Sequence, residues 1–148
     1  MRDRSPSDTV AAKVFKHTLR VRYSECDPQG VVFNANYVAY FDVVITELWR
    51  EAIGPYQELL DSGVDMVVAE VNVRYLGPAR FDDEVHFEAR VTRLGETAIA
   101  TRIDASTGGQ PVVEGRIRHV FIDPETKTKR PMPDDVRDAL ALYLDPED

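Results

Sequence analysis

Hydrophobic and polar residues alternate over residues 16–23, near the start of the chain. Four apolar or aromatic side chains fall on one side of this stretch, namely His17, Leu19, Val21 and Tyr23. A period of two is typical of a half-buried β-strand. Pro28 and Gly30 interrupt the pattern, so we predict a strand that ends in a turn.

The next pattern, over residues 35–53, has the period of a helix. Its apolar stripe consists of Tyr37, Phe41, Val44, Leu48 and Ala52, and it is broadened by Val38, Tyr40, Val43, Ile45 and Trp49. Gly54 and Pro55 follow and end the helix, because glycine suits the position after a C-terminus and proline cannot continue the helix. A helix that is apolar around most of its circumference must be wrapped by other structure.

Strand patterns dominate the rest of the chain. They predict strands over residues 66–76, 84–94, 97–106 and 111–123. Short polar connections at 95–96 and 107–110 are typical of hairpin turns, so the last three strands should form an antiparallel meander. A short helical or irregular piece is expected at 56–62, and a closing helix from residue 133 or 134 to 144.

These elements predict an α+β fold with one strand, a long apolar helix and four further strands of one antiparallel sheet. A curved sheet that wraps the helix is the arrangement that buries so apolar a helix. One such sheet leaves part of the helix and a strand edge uncovered, and a second copy of the chain can cover both. We therefore predict a homodimer at minimum.

Composition is that of a soluble globular protein. The 148 residues suit one domain, which we assign to residues 14–148, behind a frayed tail at 1–13 that lacks the apolar segment of a secretory signal. No apolar run approaches the roughly 20 residues that span a bilayer. The single cysteine, Cys26, excludes an internal disulfide and fits a cytoplasmic location. The net charge of −8 argues against nucleic acid as a partner.

The segment at residues 22–37 carries the candidate chemistry. It holds Asp27 in the turn just before the long predicted helix. The N-terminus of a helix has unpaired backbone N–H groups and about half a positive charge, so it can stabilise an oxyanion. A carboxylate facing such a site is a minimal acyl-transfer apparatus. Two structural alternatives stay open, because Asp27 can accept hydrogen bonds from its own turn and Asn34 can serve as the helix N-cap.

The other polar residues give weaker evidence of a catalytic or metal-binding role than Asp27 does. Cys26 has no His or Lys nearby in sequence to activate it as a nucleophile. The histidines stand on separate strands without metal-ligand spacing, so we predict no metal site at His17, His86 or His119. Asp42 lies inside the apolar helix, where its carboxylate must find a partner or point along a polar seam; orienting site residues and pairing with a neighbouring Arg are the two roles that stay open.

Together with Tyr37, Tyr40 and Asp42, the segment at 22–37 resembles the hot-dog-fold thioesterases of the 4-hydroxybenzoyl-CoA thioesterase family. A second segment, residues 73–84, is also similar, and the resemblance extends from about residue 15 to 122. It implies a hot-dog fold, in which a five- or six-stranded antiparallel sheet wraps a long central helix. It also implies dimers joined edge to edge, and often tetramers.

The same resemblance implies hydrolysis of acyl-CoA thioesters to the free acid and CoA, without metal or prosthetic group, since CoA is part of the substrate. In the family, the acid matching Asp27 is catalytic, the backbone amide matching Asn34 polarises the thioester carbonyl, and the acid matching Asp42 supports the site. Further substrate contacts are expected at Gly30, Val32, Phe33, Asn36 and Tyr37. Relatives that prefer short aliphatic acyl groups often have His at the position of Asn34, and aromatic-acyl enzymes have Tyr there, so the acyl group stays open.

Three alternatives remain beside acyl-CoA hydrolysis. The domain could bind acyl thioesters without hydrolysing them, a reading that the intact Asp27 disfavours. It could act on acyl groups carried by acyl-carrier protein. Hydration or dehydration of an acyl thioester would call for an Asp and a His on one strand-to-helix segment, and no His lies between His17 and His86.

Overall fold

The computed structural model describes residues 11–147. Most of the predicted tail therefore lies outside the described residues, whereas the backbone N–H of Lys13 donates to the carbonyl of Leu142 at 2.8 Å. The elements in chain order are β1 (Phe15–Arg20), α1 (Asn36–Ala52), α2 (Tyr56–Asp61), β2 (Asp65–Tyr75), β3 (Glu84–Leu94), β4 (Ala98–Thr107), β5 (Gln110–Ile122) and α3 (Asp134–Ala141). A 3₁₀ turn at Tyr23–Glu25 lies between β1 and α1.

Five strands form one antiparallel sheet in the order β1-β3-β4-β5-β2. The consecutive strands β3, β4 and β5 pair as the predicted meander, while β2 lies at the far edge beside β5. The predicted α+β architecture, with one long helix and an antiparallel sheet, is confirmed. β3 has the predicted bounds, and β2, β4 and β5 differ from prediction by one residue at each end.

β1 ends earlier than the alternation predicts. The strand stops at Arg20, and Tyr23, which was expected on the same side as Val21, is 79% exposed. The cause is local, because the carboxylate of Glu25 accepts a hydrogen bond from the backbone N–H of Arg22 at 2.7 Å. This bond closes the 3₁₀ turn within the stretch whose side-chain alternation predicts a strand.

The closing helix is also shorter than predicted, since α3 ends at Ala141. The chain that follows pairs with the sheet instead. The backbone N–H of Val91 donates to the carbonyl of Tyr143 at 3.0 Å, and the N–H of Asp145 donates to the carbonyl of Val91 at 2.7 Å. The C-terminal segment thereby adds a short parallel bridge beside β3.

α1 lies across the inner face of the sheet. The ring of Trp49 packs edge-on against Phe121 of β5, with ring centroids 6.2 Å apart. Helix and sheet approach closely where Phe41 lies over Gly115 of β5, because a Cβ built on that glycine would lie 2.5 Å from the Phe41 ring. Only glycine leaves room for the helix at this depth.

Part of α1 and one sheet edge stay uncovered, as expected for a single sheet around so apolar a helix. Val38 and Val43 of α1 are 43% and 40% exposed, and Val67 and Val68 of the edge strand β2 are 43% and 50% exposed. Apolar side chains beside an open strand edge form a surface suited to a further protein contact. Even so, no helix within residues 11–147 is long and apolar enough to cross a membrane.

Candidate active site

The loop between β1 and α1 holds Asp27 in a tight turn. The N–H of Asp27 donates to the carbonyl of Val31, and the N–H of Gly30 donates to the carbonyl of Asp27, each at 2.8 Å. Gly30 has φ of 80°, a conformation that glycine adopts readily. The side-chain Oδ1 of Asp27 accepts the N–H of Gln29 at 2.8 Å. The structural role considered for Asp27 is therefore confirmed, and the half-buried carboxylate still has a second oxygen and spare lone pairs for chemistry.

The second similar segment, residues 73–84, is the support on which this loop rests. The N–H of Val32 donates to the carbonyl of Ala79 at 2.8 Å, and Val31 forms an antiparallel bridge with Arg80. Because Val32 and Ala79 are also buried, the contact anchors the loop to the body of the domain. The two motifs that carry the family resemblance are thus in direct contact.

The turn that leads into α1 leaves two adjacent backbone amides free. The N–H of Phe33 donates to the carbonyl of Glu25 at 2.9 Å, and the N–H of Asn36 donates to the carbonyl of Phe33 at 2.9 Å. Within residues 11–147, the N–H groups of Asn34 and Ala35 have no hydrogen-bond acceptor. Both lie at the positive end of the helix dipole, where an anionic oxygen is stabilised.

Asn34 is not the helix N-cap, so that alternative is wrong. Ala35 occupies the N-cap position, without a side-chain cap, and Asn34 is exposed. The side chain of Asn36, the first residue of α1, bonds to the loop instead, and its Nδ2 donates to the carbonyl of Glu25 at 2.8 Å. The Asn36 side chain therefore fixes the loop before the helix, and the Asn34 side chain makes no contribution to the turn.

Glu25 joins the loop to the helix through its carboxylate. Oε1 accepts the hydroxyl of Tyr40 at 2.9 Å, and Oε2 accepts Nη2 of Arg22 at 2.9 Å. Burial works to raise the pKa of Glu25, but the hydrogen bonds from Arg22 and Tyr40 outweigh it and hold that pKa below its usual range. Burial, together with the adjacent carboxylate, raises the pKa of Tyr40. Both groups therefore keep their ordinary charge at neutral pH, and they act as structural ties.

The predicted substrate contacts differ in how far the structure exposes them. Gly30 and Phe33 are exposed, and Phe33 keeps 47% of its surface accessible. Val32 and Tyr37 are buried, and burial raises the pKa of Tyr37 to about 12. Asn36 is half-buried and engaged with Glu25.

A cavity of about 460 Å³ begins at the same helix end and runs between α1 and the strands β5 and β2. The residues that line it are Ala35, Val38, Ala39, Phe41, Asp42, Ile45, Val68, Val71, Ile117 and His119. Of the predicted site residues, only Asp42 is part of this lining. Its first residue, Ala35, carries one of the two free amides, so the cavity and the Asp27 loop meet at the N-terminus of α1.

Residues 21–140, which are more than half of the chain, match the Thioesterase-like superfamily. The chain belongs to this superfamily. Its relatives include the acyl-CoA thioester hydrolase YbgC of Escherichia coli, which is 30% identical over 121 residues, or 81% of this chain and 90% of YbgC. The predicted membership among hot-dog-fold thioesterases is confirmed.

Solved structures agree with this assignment of the thioesterase fold. The hypothetical protein TT1821 of Thermus thermophilus is 27% identical, with a TM-score of 0.80 over 88% of this chain and 98% of that protein. The protein SAV2348 of Staphylococcus aureus, solved in complex with CoA, has a TM-score of 0.84 over 91% of this chain and 86% of its own. At 15% identity, the second comparison supports the fold alone.

His119 is the residue of this thioesterase that the sequence patterns did not single out. It lies on β5 and is 4% exposed, and its Nδ1 has no hydrogen-bond partner within residues 11–147. Burial lowers its pKa to about 4, against an opposing influence of the Asp42 carboxylate. The signal that could have found it is the period of two in β5, because His119 falls in phase with the inward residues Ile117 and Phe121.

Of the two roles left open for Asp42, pairing with an arginine does not occur within residues 11–147. Its carboxylate makes no hydrogen bond or ion pair in the described part of the chain, and it faces the cavity beside His119. The structure thus brings together an Asp of α1 and a His of β5 that lie far apart in sequence. Among residues 11–147, no three His, Cys, Asp or Glu side chains are grouped as they would be to hold a metal ion.

Proposed function

We propose that this chain hydrolyses acyl-CoA thioesters to the free acid and CoA, with Asp27 as the catalytic carboxylate. The backbone N–H of Asn34 then polarises the thioester carbonyl, with that of Ala35 beside it. The observation that carries the proposal is the pairing, on one loop, of a half-buried carboxylate with two unengaged amides at a helix N-terminus. Relationship to YbgC, named as an acyl-CoA thioester hydrolase, supports this substrate class.

Two routes are open to the Asp27 carboxylate. As a general base, it takes a proton from water while the water oxygen bonds to the thioester carbon. As a nucleophile, its own oxygen bonds to that carbon, and water then hydrolyses the resulting mixed anhydride. In both routes the carbonyl oxygen becomes an oxyanion at the free amides, and the C–S bond breaks as the oxyanion collapses.

Hydrolysis of a thioester at this site needs no further catalytic side chain. A thiol has a pKa near 8.5, so CoA leaves as the thiolate without a strong general acid. The oxyanion is stabilised by backbone groups that are already in position, and loss of one such donor costs about 10²–10³ in turnover in enzymes that use them. A carboxylate and one or two amides are therefore a sufficient apparatus for this reaction.

We further propose that the chain acts as a homodimer or homotetramer. The uncovered valines of α1 and the open β2 edge are the surfaces that a second copy would bury, and both flank the cavity. A cytoplasmic location, independence from metal, and lack of nucleic-acid partners remain part of the proposal. The single cysteine and the net charge of −8 support the location and the lack of nucleic-acid partners.

Asp27→Asn tests the assignment, because an amide oxygen can still accept the N–H of Gln29 and preserve the turn. We expect turnover in a thiol-release assay to fall about 10³-fold or more while CoA binding persists. Asp123→Asn is the matched control, since Asp123 accepts the N–H groups of Glu125 and Thr126 in a similar turn remote from the loop. Near-normal turnover by Asp27→Asn would refute the catalytic role.

The same assay separates the alternative functions. A screen of acyl-CoA lengths and benzoyl analogues with the wild-type chain should give thiol release with at least one substrate. Binding of acyl-CoA without release from any substrate would indicate an acyl-thioester binding module. Faster release from acyl-carrier protein than from CoA with the same acyl group would move the substrate assignment to the carrier protein.

A further inference from the structure

The cavity that starts at Ala35 is part of a longer groove. A second cavity of about 160 Å³ continues along α1 towards Trp49 and shares Asp42, Ile45, Val68 and His119 with the first. At 1.5 Å per residue, the helix rises about 21 Å from Ala35 to Trp49. The groove therefore has the length of an extended chain, and a single aromatic ring would occupy only a part of it.

The part of the groove next to the helix N-terminus is apolar, whereas its midpoint is polar and its far part also contains polar side chains. Val38, Val71 and Ile117 line the first part, next to the helix N-terminus. His119 then lies where the two cavities meet, opposite Asp42. Asp42 follows Ala35 by two helical turns, which places this midpoint about 10 Å from the end where the free amides lie.

The His119 side chain has an unmet hydrogen-bonding requirement. Its Nδ1 is shielded from solvent and unpaired within the described residues, although buried polar atoms in native proteins are nearly always paired. Burial keeps the ring neutral, so it offers one N–H donor and one acceptor nitrogen. If residue 119 only filled space at the junction of the two cavities, a valine or phenylalanine would do so without leaving a buried polar atom unpaired.

We propose that His119 determines acyl specificity and that the groove takes extended aliphatic acyl chains carrying a hydroxyl or keto oxygen about 10 Å from the thioester. This inference rests on the proposed function, because the thioester end of the chain is placed by the free amides at Asn34 and Ala35. The oxygen of the substrate forms a hydrogen bond with the His119 ring, and the Asp42 carboxylate can accept a hydrogen bond from a hydroxyl. A plain alkyl chain covers the same imidazole and leaves it unpaired, which disfavours that substrate.

The test compares acyl-CoA substrates that differ in one oxygen. We expect wild-type kcat/KM to be at least about tenfold higher for 8-hydroxydecanoyl-CoA, whose hydroxyl lies about 10 Å from the thioester in an extended chain, than for decanoyl-CoA, because a site built to hydrogen-bond a hydroxyl rejects the analogue that lacks it. 3-Hydroxydecanoyl-CoA carries its hydroxyl near the thioester and should gain nothing over decanoyl-CoA. 4-Hydroxybenzoyl-CoA and benzoyl-CoA form the aromatic arm, and a hydroxyl preference confined to this arm would overturn the proposal.

Variants at position 119 assign the preference to the residue. His119→Phe should abolish the preference for the distal hydroxyl while decanoyl-CoA is still hydrolysed, and His119→Gln should retain part of it because an amide can also donate and accept. An unchanged ratio in His119→Phe, or equal wild-type rates on the decanoyl pair, would overturn the inference and leave thioesterase activity standing. Failure of the wild-type chain to hydrolyse any acyl-CoA would instead contradict the proposed function.

Discussion

The hydroxyl of Tyr40 donates to Oε1 of Glu25 at 2.9 Å and ties α1 to the loop that carries Asp27. The same Glu25 accepts two further bonds at its backbone carbonyl, from Phe33 and from the Asn36 side chain. Side chain and backbone of one residue thus hold both the strand side and the helix side of the loop. The position of the free amides relative to Asp27 depends on this residue.

Tyr40→Phe removes this tie and keeps the ring. Loss of a hydrogen bond to a charged group should lower the free energy of unfolding by about 1.5–3 kcal/mol, measured by urea denaturation. We also expect kcat to fall about tenfold, because a loosened loop no longer holds the carboxylate and amides in register.

The control for this variant is Tyr143→Phe, which removes the bond between the Tyr143 hydroxyl and the Glu51 carboxylate, away from the loop. It should cost comparable stability and leave kcat unchanged. An equal loss of turnover in both variants would show that the Glu25 tie has no special effect on the site.

Asn34→Pro deletes the proposed oxyanion donor without breaking the turn. The N–H of Asn36 bonds to the carbonyl of Phe33, which makes residue 34 the second residue of a four-residue turn, where proline is favoured. We expect turnover to fall about 10²–10³-fold with little change in melting temperature. Asn34→Ala keeps the amide and removes the exposed side chain, so its turnover should stay near the wild-type value. Similar rates for the two variants would exclude this N–H as an oxyanion donor.

His119 should make the protein less stable in mild acid. The pKa is about 6.5 in the unfolded chain and about 4 in the folded one, so between these values the unfolded state binds more protons. The free energy of unfolding should therefore decrease as the pH falls from 6.5 to 4, by about 3 kcal/mol from this group alone.

Subtraction isolates this contribution from the carboxylates that titrate in the same range. His119→Gln has no titrating group, so the difference in unfolding free energy between wild type and variant should change by about 3 kcal/mol in favour of the variant between pH 7 and pH 4. Urea denaturation at intervals of half a pH unit measures it. A difference that stays constant with pH would mean that the imidazole titrates equally in both states.

Oligomer formation should depend on the open edge of the sheet. The wild-type chain should elute with a mass that is a multiple of 16.7 kDa, about 33 kDa for a dimer, in light scattering coupled to gel filtration. Val68→Lys places a charge on the exposed β2 edge and should shift the mass towards the monomer. Leu142→Lys alters an equally exposed residue beyond α3 and should have no effect. A wild-type chain that runs as a monomer would contradict the proposed assembly.

Periodicity predicts most of this fold because most of its elements are amphipathic in a regular way. From Glu84 to Val91 every second residue of β3 is buried, and α1 has the expected bounds within a residue. Two of the errors arise where a local side-chain bond outweighs the pattern, and a third arises at the end of α3, where the chain pairs with β3 through its backbone. The Glu25 carboxylate ends β1 early, and Asn36 bonds back to the loop where Asn34 was expected to cap the helix.

The candidate site likewise has residues that the sequence could identify and residues that it could not. Asp27 and the amide of Asn34 lie on one continuous segment, so a motif can identify them. The pairing of Asp42 with His119 results from packing α1 onto β5, and neither residue has a sequence neighbour that indicates the other. A single sequence carries no signal of that contact, because it depends on how the sheet curves and on the depth at which Phe41 seats over Gly115.

The turn at Asp27 has an evolutionary consequence. Because the amide oxygen of an asparagine can also accept the N–H of Gln29, the turn can form with either residue at position 27. The carboxylate is needed for the proposed chemistry and not for the turn. On the proposed mechanism, one nucleotide change from an Asp codon to an Asn codon would turn a hydrolase into a folded receptor for acyl thioesters. Descendants of such enzymes can therefore acquire sensing or carrier roles without passing through an unfolded intermediate.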